Sequence, residues 1–296
     1  MDKINLKVPA KINLFLRVLD KRPDGYHNLE SLMQAIDLYD ELTLEKSDEI
    51  ELDCPELADL PMEQNLAYRA AKLVEEMAYF PGVKITLHKK IPSGAGLGGG
   101  SADAAYVIRG LIKLYDLDLD TEELLVKVAR LGADIPFFLS SGQAIVQGIG
   151  DIIQNCQMAL NYNVLVIKPA FSVNTAKAYG ELDRLRGGKI SLTKYDRNCF
   201  LYKNLTDLNF VRISNSFIND LEEVVFSWHH ELLQVKAYLL NDGAFYSGLT
   251  GSGSAMFGLF APGKALEETI RRFADYNYCL FVCKPVLLPP AKESTA

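Results

Sequence analysis

The first part of the chain alternates between apolar and polar residues in the manner of half-buried β-strands. Apolar side chains occupy every second position over residues 4–8 and again over 12–18. Pro9 between them predicts a break into two strands. Similar patterns predict further strands at 83–87, 143–147, 163–168, 255–260 and 279–284.

Three polar residues are placed to cap helices. Asn65 precedes apolar residues at helical spacing. Ser101 follows a run of glycines and precedes a second apolar face, so we expect a helix to begin at Ser101. Asp120, with a glutamate three positions later, predicts another helix that ends near Gly132. The strand predicted at 83–87 is therefore followed by a run of glycines and then by the start of a helix.

The mixture of strands and helices continues through the second half of the chain. Helical spacing recurs over residues 218–240, after a polar and broken stretch from Gly187 to Asn209. We place a soft domain boundary near residue 160, which gives domains of 1–160 and 161–296, although no linker-like composition marks it.

Composition and charge narrow the class of protein. The 296 residues are 49% hydrophobic, which is enough for a sizeable core, and the formal net charge of -7 with dispersed lysines argues against a nucleic-acid partner. The five cysteines form no CxxC pair and no zinc spacing, which favours a reducing compartment. No apolar run is long enough to cross a bilayer. We therefore predict a cytoplasmic protein without a membrane partner.

The glycine-rich segment (residues 92–102) is the strongest chemical signal. It has five glycines within seven residues, which allows backbone N–H groups to surround an anion. A helix that follows directly adds its unpaired N–H groups and the positive end of its dipole. These features predict a phosphate-binding cradle, and a flexible surface loop is the simpler alternative.

Three familiar nucleotide-binding patterns do not fit this segment. Gly94, Gly96 and Gly99 satisfy GxGxxG, but the acidic residues over 116–120 lead from one helix into the next, where a dinucleotide-binding fold would need a strand. No lysine follows the glycines as in a Walker A loop. The VAIK, HRD and DFG motifs of protein kinases are absent from the sequence.

Three motifs in the same order as here are typical of the GHMP kinases. Residues 92–104 resemble the second motif of that superfamily, 249–255 (LTGSGSA) resemble its C-terminal glycine motif, and 9–14 (PAKINL) resemble its N-terminal one. The resemblance implies a two-domain α+β fold, with an N-terminal mixed sheet and helices, a C-terminal α+β domain and the active site in the cleft between them. It also implies a small-molecule kinase that uses ATP and Mg²⁺.

Four longer segments are very similar to one branch of that superfamily. They are PAKINLFLRV at 9–18, RPDGYHNLESLMQAIDLYDEL at 22–42, GAGLGGGSADAA at 94–105 and GADIPFFL at 132–139. Members of this branch phosphorylate the 2-hydroxyl of a cytidine-diphosphate-linked methylerythritol in the non-mevalonate route to isoprenoids. A homoserine or mevalonate kinase, and a nucleotide-binding regulator that has lost catalysis, remain as alternatives.

The resemblance also assigns roles to individual residues. It implies that Asp134 accepts or orients the proton of the attacking hydroxyl, while Lys11 stabilises that carboxylate and the charge on the phosphoryl group. Asn13 lies two residues after Lys11 and would bond the substrate. Ser101 would touch phosphate or magnesium, and its simpler role as an N-cap is compatible with this. The nucleotide-binding set is Pro92, Ser93, Gly94, Ala95, Gly96, Leu97, Gly98, Gly99, Gly100, Ser101 and Ala102.

The remaining predicted residues concern the substrate and its surroundings. By resemblance, Tyr26 and Tyr179 stack on cytosine and His27 bonds its edge. Gly251, Ser252 and Gly253 would let the backbone approach the phosphates. Lys89 and Lys90 precede the cradle, where they could supplement its positive potential, but we favour an exposed strand end. A small-molecule substrate is the expected partner, and the chain is expected to be a monomer or a weak homodimer.

Overall fold

The computed structural model of the protein describes residues 1–156, 161–187 and 217–289. They form two sheets with helices against each, which confirms the predicted α+β class. The first sheet is mixed and contains six strands in the order β3-β4-β2-β5-β6, with β1 paired to β2. Its strands are β1 Lys3–Lys21, β2 His27–Lys46, β3 Ile50–Asp53, β4 Val83–His88, β5 Gln143–Gly148 and β6 Ile152–Asn155.

Two long strands organise the first sheet. The strand β2 pairs with β5 through its first residues and with β4 through its last, while β1 runs antiparallel along its other edge. The predicted break at Pro9 is wrong, because β1 is one continuous strand. A shift of the pairing register between Pro9 and Ala10 accommodates the proline, which has no N–H to donate.

Among the described residues, four α-helices accompany this sheet: α1 Leu66–Met77, α2 Gly99–Tyr115, α3 Thr121–Leu131 and α4 Ile135–Phe138. Two predicted caps are confirmed. The side chain of Asn65 accepts a bond of 2.9 Å from the backbone N–H of Ala67, and that of Asp120 accepts one of 2.8 Å from Glu123. Each satisfies a helical N–H that lacks an intrahelical partner.

The predicted start of α2 at Ser101 is wrong by two residues. The helix begins at Gly99, and the capping position belongs to Gly98, which has a left-handed backbone with φ of 72°. A glycine adopts that conformation without strain, so no side-chain cap is needed to begin the helix. Ser101 therefore lies in the first turn.

The second sheet is antiparallel, in the order β10-β7-β9-β8. Its strands are β7 Asn163–Pro169, β8 Tyr246–Leu249, β9 Met256–Phe260 and β10 Tyr278–Cys283, and its helices are α5 Thr175–Leu185, α6 Glu222–Trp228, α7 Glu231–Asn241 and α8 Glu267–Arg272. The strands predicted at 163–168, 255–260 and 279–284 are confirmed to within a residue. The stretch predicted as polar and broken lies outside the described residues from position 188 onward.

A shared hydrophobic core joins the two sheets beneath the glycine-rich segment. It combines side chains of β1, such as Ile12 and Leu14, with Leu97 of the loop and with Val166 and Phe257 of the second sheet. After β10 the chain returns to the first sheet, where Val286 donates a 2.9 Å backbone bond to Ala35. Because the two sheets share a core and the chain returns to the first sheet, the domain boundary at residue 160 stays a prediction. No helix in the three described ranges is long and apolar enough to span a membrane.

Candidate active site

The glycine-rich segment links β4 to α2 and needs glycine at specific points. At Gly96, with φ of 77°, a Cβ atom would lie 2.0 Å from the carbonyl oxygen of Thr250. At Gly98 it would lie 2.9 Å from the side chain of Lys11. These are close approaches between separate parts of the chain, which only a residue without a Cβ permits. The glycines therefore bring the loop against both β1 and the 249–255 turn.

This segment lines a cavity of about 540 Å³. The first intrahelical bond at this end joins the N–H of Ala102 to the carbonyl of Gly98, so the N–H groups of residues 99–101 are left for another acceptor. The cavity is also lined by Leu57, Leu60, Gln64, Asn65 and Leu66. The cavity thus offers both backbone donors and apolar side chains. All of the predicted nucleotide-binding residues line it except Ala102.

A lysine and an aspartate from distant parts of the chain form the centre of the site. The ammonium nitrogen of Lys11, in β1, lies 3.2 Å from a carboxylate oxygen of Asp134, which immediately precedes α4. The Lys11 side chain is 3% exposed, whereas that of Asp134 is 28% exposed. The backbone N–H of Lys11 also donates to the carbonyl of Leu97 at 2.9 Å. The structure therefore places a buried cation behind an accessible carboxylate, directly beside the loop.

Asn13 holds the lysine in place. Its Oδ1 accepts a bond of 2.5 Å from the Lys11 ammonium, and its Nδ2 donates to the Ser31 hydroxyl at 2.8 Å. The backbone N–H of Asn13 donates to the Thr250 hydroxyl at 3.1 Å, and that hydroxyl donates to the carbonyl of Gly96 at 3.0 Å. Within the described residues Nδ2 makes this one bond, so its second hydrogen is available to a ligand. Thr250 thus connects the three sequence motifs, and it was not among the predicted residues.

A second cavity, of about 280 Å³, lies against the Lys11 and Asp134 pair. Asn13, Tyr179 and the predicted residues 251–253 also line it. Four residues line both cavities: Gly94, Gly96, Ser101 and Thr175. The two cavities are therefore neighbours, and the ion pair lies on the side of the second one.

The predicted base-binding residues are near one another but outside the lining of either cavity, except for Tyr179. The His27 and Tyr179 rings are 5.2 Å apart between centroids and tilted by 31°. Burial, together with the nearby carboxylates of Asp134 and Asp220, raises the pKa of Tyr179 to about 12. Tyr26 is 63% exposed, on the turn before β2. The rings of His27 and Tyr179 thus form an aromatic pair beside the second cavity.

Beneath the start of the loop lies an ionic cluster that the sequence analysis missed. The Lys89 ammonium contacts the carboxylates of Asp40 and Asp103, and all three side chains are buried. Asp40 also accepts from the backbone N–H groups of Lys90 and Ile91. Burial raises the pKa of Asp103 to about 7, against the opposing effect of Lys89. The expectation of an exposed strand end is therefore wrong for Lys89 and right for Lys90, whose side chain is 58% exposed.

The oxygen donors at the site fit a magnesium ion that arrives with a triphosphate. The hydroxyl of Ser101 and the carboxylate of Asp134 line the same cavity, and Mg²⁺ prefers such oxygen ligands. Nucleotide-bound magnesium takes one or two protein ligands besides phosphate. Among the described residues, no group of three His, Cys, Asp or Glu side chains could form a cage by itself. The residues present are therefore sufficient for this mode of binding.

Comparison with known families agrees with this arrangement. The model described as GHMP kinases N terminal domain matches residues 65–142, and the one described as GHMP kinases C terminal matches 205–279. A homoserine kinase from Cytophaga hutchinsonii has the same fold, with a TM-score of 0.72 over 98% of this chain and 96% of that one, at 19% identity. The fold and the two matched domains define a GHMP kinase.

Closer relatives specify the family. A 4-diphosphocytidyl-2-C-methyl-D-erythritol kinase from Chlorobium chlorochromatii is 43% identical over 86% of this chain and 88% of its own length. The enzyme of the same name from Thermodesulfovibrio yellowstonii is 38% identical over 98% of this chain and all of its own. A crystal structure of 4-(cytidine 5'-diphospho)-2C-methyl-D-erythritol kinase superposes with a TM-score of 0.74, at 31% identity, over 95% of this chain and 99% of that one. This chain belongs to the 4-diphosphocytidyl-2-C-methyl-D-erythritol kinase family.

Proposed function

We propose that the protein transfers the γ-phosphate of ATP to the 2-hydroxyl of 4-diphosphocytidyl-2-C-methyl-D-erythritol, giving the 2-phosphate and ADP in the non-mevalonate pathway. The observation that carries this proposal is the contact of 3.2 Å between Lys11 and Asp134, which line the second of two neighbouring cavities. One cavity is suited to a nucleoside triphosphate and the other to an alcohol. The cytoplasmic location and the monomeric or weakly dimeric state stay predictions.

ATP would occupy the first cavity with its phosphates on the glycine-rich segment. The N–H groups of residues 99–101 and the positive end of α2 favour an anion there. The apolar side chains of Leu57, Leu60 and Leu66 are suited to the flat faces of adenine. Magnesium, with Ser101 as a ligand, would neutralise charge on the triphosphate. Because Ser101 lines both cavities, this orientation points the terminal phosphate toward the second one.

The alcohol would occupy the second cavity with its hydroxyl at Asp134. The carboxylate accepts the hydroxyl proton as the oxygen attacks the terminal phosphorus, and ADP leaves on the opposite side. Lys11 offsets the charge that builds on the transferring group, and Asn13 holds the ammonium in position. The acid–base pair and the cradle suffice for direct in-line transfer, so no phosphoenzyme is needed.

The aromatic pair of His27 and Tyr179 would bind the cytosine ring. Tyr179 lines the second cavity and offers a flat face, while His27 offers ring nitrogens for the base edge. Tyr26 is exposed on the adjoining turn and would close over the base from outside. Neither homoserine nor mevalonate has a base to stack, so this pair favours the cytidylated substrate.

A substrate panel tests the proposal. The purified protein is incubated with ATP, Mg²⁺ and each of three alcohols, and ADP release is followed. We expect rapid turnover of the cytidylated substrate and at least about a hundredfold lower kcat/KM for homoserine and mevalonate. Preference for homoserine would identify another GHMP kinase, and nucleotide binding without turnover of any alcohol would identify a regulator.

A further inference from the structure

A hydrogen bond between His27 and the carboxylate of Asp183 lies beside the aromatic pair. The His27 side chain is 8% exposed, and its Nε2 lies 2.7 Å from Oδ1 of Asp183, in the last turn of α5. The other oxygen of Asp183 accepts a bond of 2.8 Å from the Lys21 ammonium. Within the described part of the chain, Nε2 is the atom through which the His27 ring makes its hydrogen bond. The carboxylate thus contacts one specific nitrogen of the ring.

The charge of Asp183 decides which nitrogen of His27 carries the proton. Burial raises the pKa of Asp183, but hydrogen bonds from Lys21 and His27 outweigh it and hold this pKa below its ordinary value. An ionised carboxylate has no hydrogen to donate, so Nε2 must be the donor. In the neutral imidazole the proton on Nε2 leaves Nδ1 with a free lone pair. Nδ1 is then an acceptor.

We propose that Asp183 is a positioning residue that gives the base site its preference for cytosine over uracil, by fixing the tautomer of His27. Cytosine has an amino group at position 4, which donates, whereas uracil has an oxo group, which accepts. A lone pair on Nδ1 can accept a hydrogen bond from the amino group of cytosine. The oxo group of uracil would instead face Nδ1 as a second acceptor, and no hydrogen bond could form. A site that must pair a buried polar group rejects an analogue that cannot do so. This inference rests on the proposed function, because it assumes a base beside His27 and Tyr179.

The variant Asp183→Asn tests the inference by base selectivity. The amide of asparagine both donates and accepts, so it no longer dictates which nitrogen of His27 is protonated. We compare kcat/KM for cytidine- and uridine-diphosphate-linked methylerythritol. The unaltered protein should prefer cytidine by at least about a hundredfold, and Asp183→Asn should reduce that ratio at least about tenfold. The loss should appear in KM for the cytidine substrate, with kcat changed less than about twofold.

Glu181→Gln is the matched control. It removes the same charge from the same helix, but Glu181 pairs with Arg184 at 2.7 Å on the exposed surface and does not contact His27. Its base selectivity should equal that of the unaltered protein. A selectivity loss in the control as large as in Asp183→Asn would assign the effect to charge and overturn the inference.

A second measurement reads the tautomer without turnover. The chain has four histidines, so ¹⁵N NMR of the ring nitrogens at about pH 8.5, with His27 assigned by His27→Gln, resolves its tautomer directly. We expect the Nε2–H form in the unaltered protein. The Nδ1–H form, or an unchanged base ratio in Asp183→Asn, would overturn the inference, and the NMR result decides even if that variant does not fold. If His27 has the expected tautomer but the protein does not turn over the cytidine substrate, that result would instead count against the proposed function.

Discussion

Replacing Gly96 by alanine tests whether the loop must touch the 249–255 turn. The new Cβ would lie 2.0 Å from the carbonyl oxygen of Thr250, whereas ordinary contacts begin at 3.4 Å. The two segments must therefore separate by about 1.4 Å, the difference between these distances. Two hydrogen bonds cross the contact, from the Thr250 hydroxyl to Gly96 at 3.0 Å and from Ala255 to the carbonyl of Ala95 at 3.1 Å. The separation would break both.

The cost follows from these contacts. A residue with a Cβ in the left-handed region costs roughly 1–2 kcal/mol. Each lost hydrogen bond adds about 1 kcal/mol. We therefore expect Gly96→Ala to lower the free energy of unfolding by roughly 3–4 kcal/mol. Because this separation would shift the loop or the turn at the Lys11 and Asp134 site, kcat should also fall about a hundredfold or more.

Urea denaturation and steady-state kinetics measure both effects, with Gly100→Ala as the control. At Gly100 the nearest atom to an added Cβ is 3.6 Å away, and the residue lies in α2, where alanine is favoured over glycine by about 1 kcal/mol. The control should match or exceed the stability of the unaltered protein. Equal stabilities of the two variants would refute the close approach at Gly96.

Three further variants probe the contacts around the loop. Lys89→Met leaves Asp40 and Asp103 buried without a cation, so we expect urea denaturation to show a loss of roughly 3–5 kcal/mol at pH 8 that shrinks by pH 5, as Asp103 takes up a proton; a loss independent of pH would contradict this. The raised pKa of Asp103 means that the folded state binds its proton more tightly than the unfolded state, so this residue lowers stability as pH rises from about 4 to about 7. Asp103→Asn should therefore lose less stability between pH 5 and 8 than the unaltered protein, and equal slopes would argue against it. Thr250→Val removes the hydroxyl that bonds Asn13 and Gly96, and should lower thermal stability by about 1–3 kcal/mol, whereas an unchanged Tm would show that this connection is dispensable.

Local patterns were sufficient to predict much of the fold. The caps at Asn65 and Asp120 depend on neighbouring residues only, and the structure has both. The start of α2 was misplaced because a serine is the commoner cap, whereas here a left-handed glycine performs that role. The 20-residue strand β2 was not predicted, because buried polar residues such as Ser31, Gln34 and Asp40 interrupt its apolar pattern.

The candidate site was predictable where a motif carries it. Lys11 and Asp134 were paired by resemblance, and the structure brings them into contact across more than a hundred residues. The partners Thr250, Asp40 and Asp183 were missed, because each acts through a contact distant in sequence. A lysine such as Lys89 is ordinarily exposed, and only the fold places two carboxylates against it. Long-range pairing of polar side chains leaves no periodic signal in a sequence.

The variant Asp134→Asn tests the central claim most directly, because it keeps the shape of the side chain while removing the proton acceptor. Calorimetric titration measures the affinity for the cytidylated substrate, and ADP release measures kcat. The account predicts substrate affinity within about threefold of the unaltered protein and kcat reduced by about 10²–10⁴. Near-normal kcat in a variant that binds substrate would contradict it and remove the aspartate from the reaction.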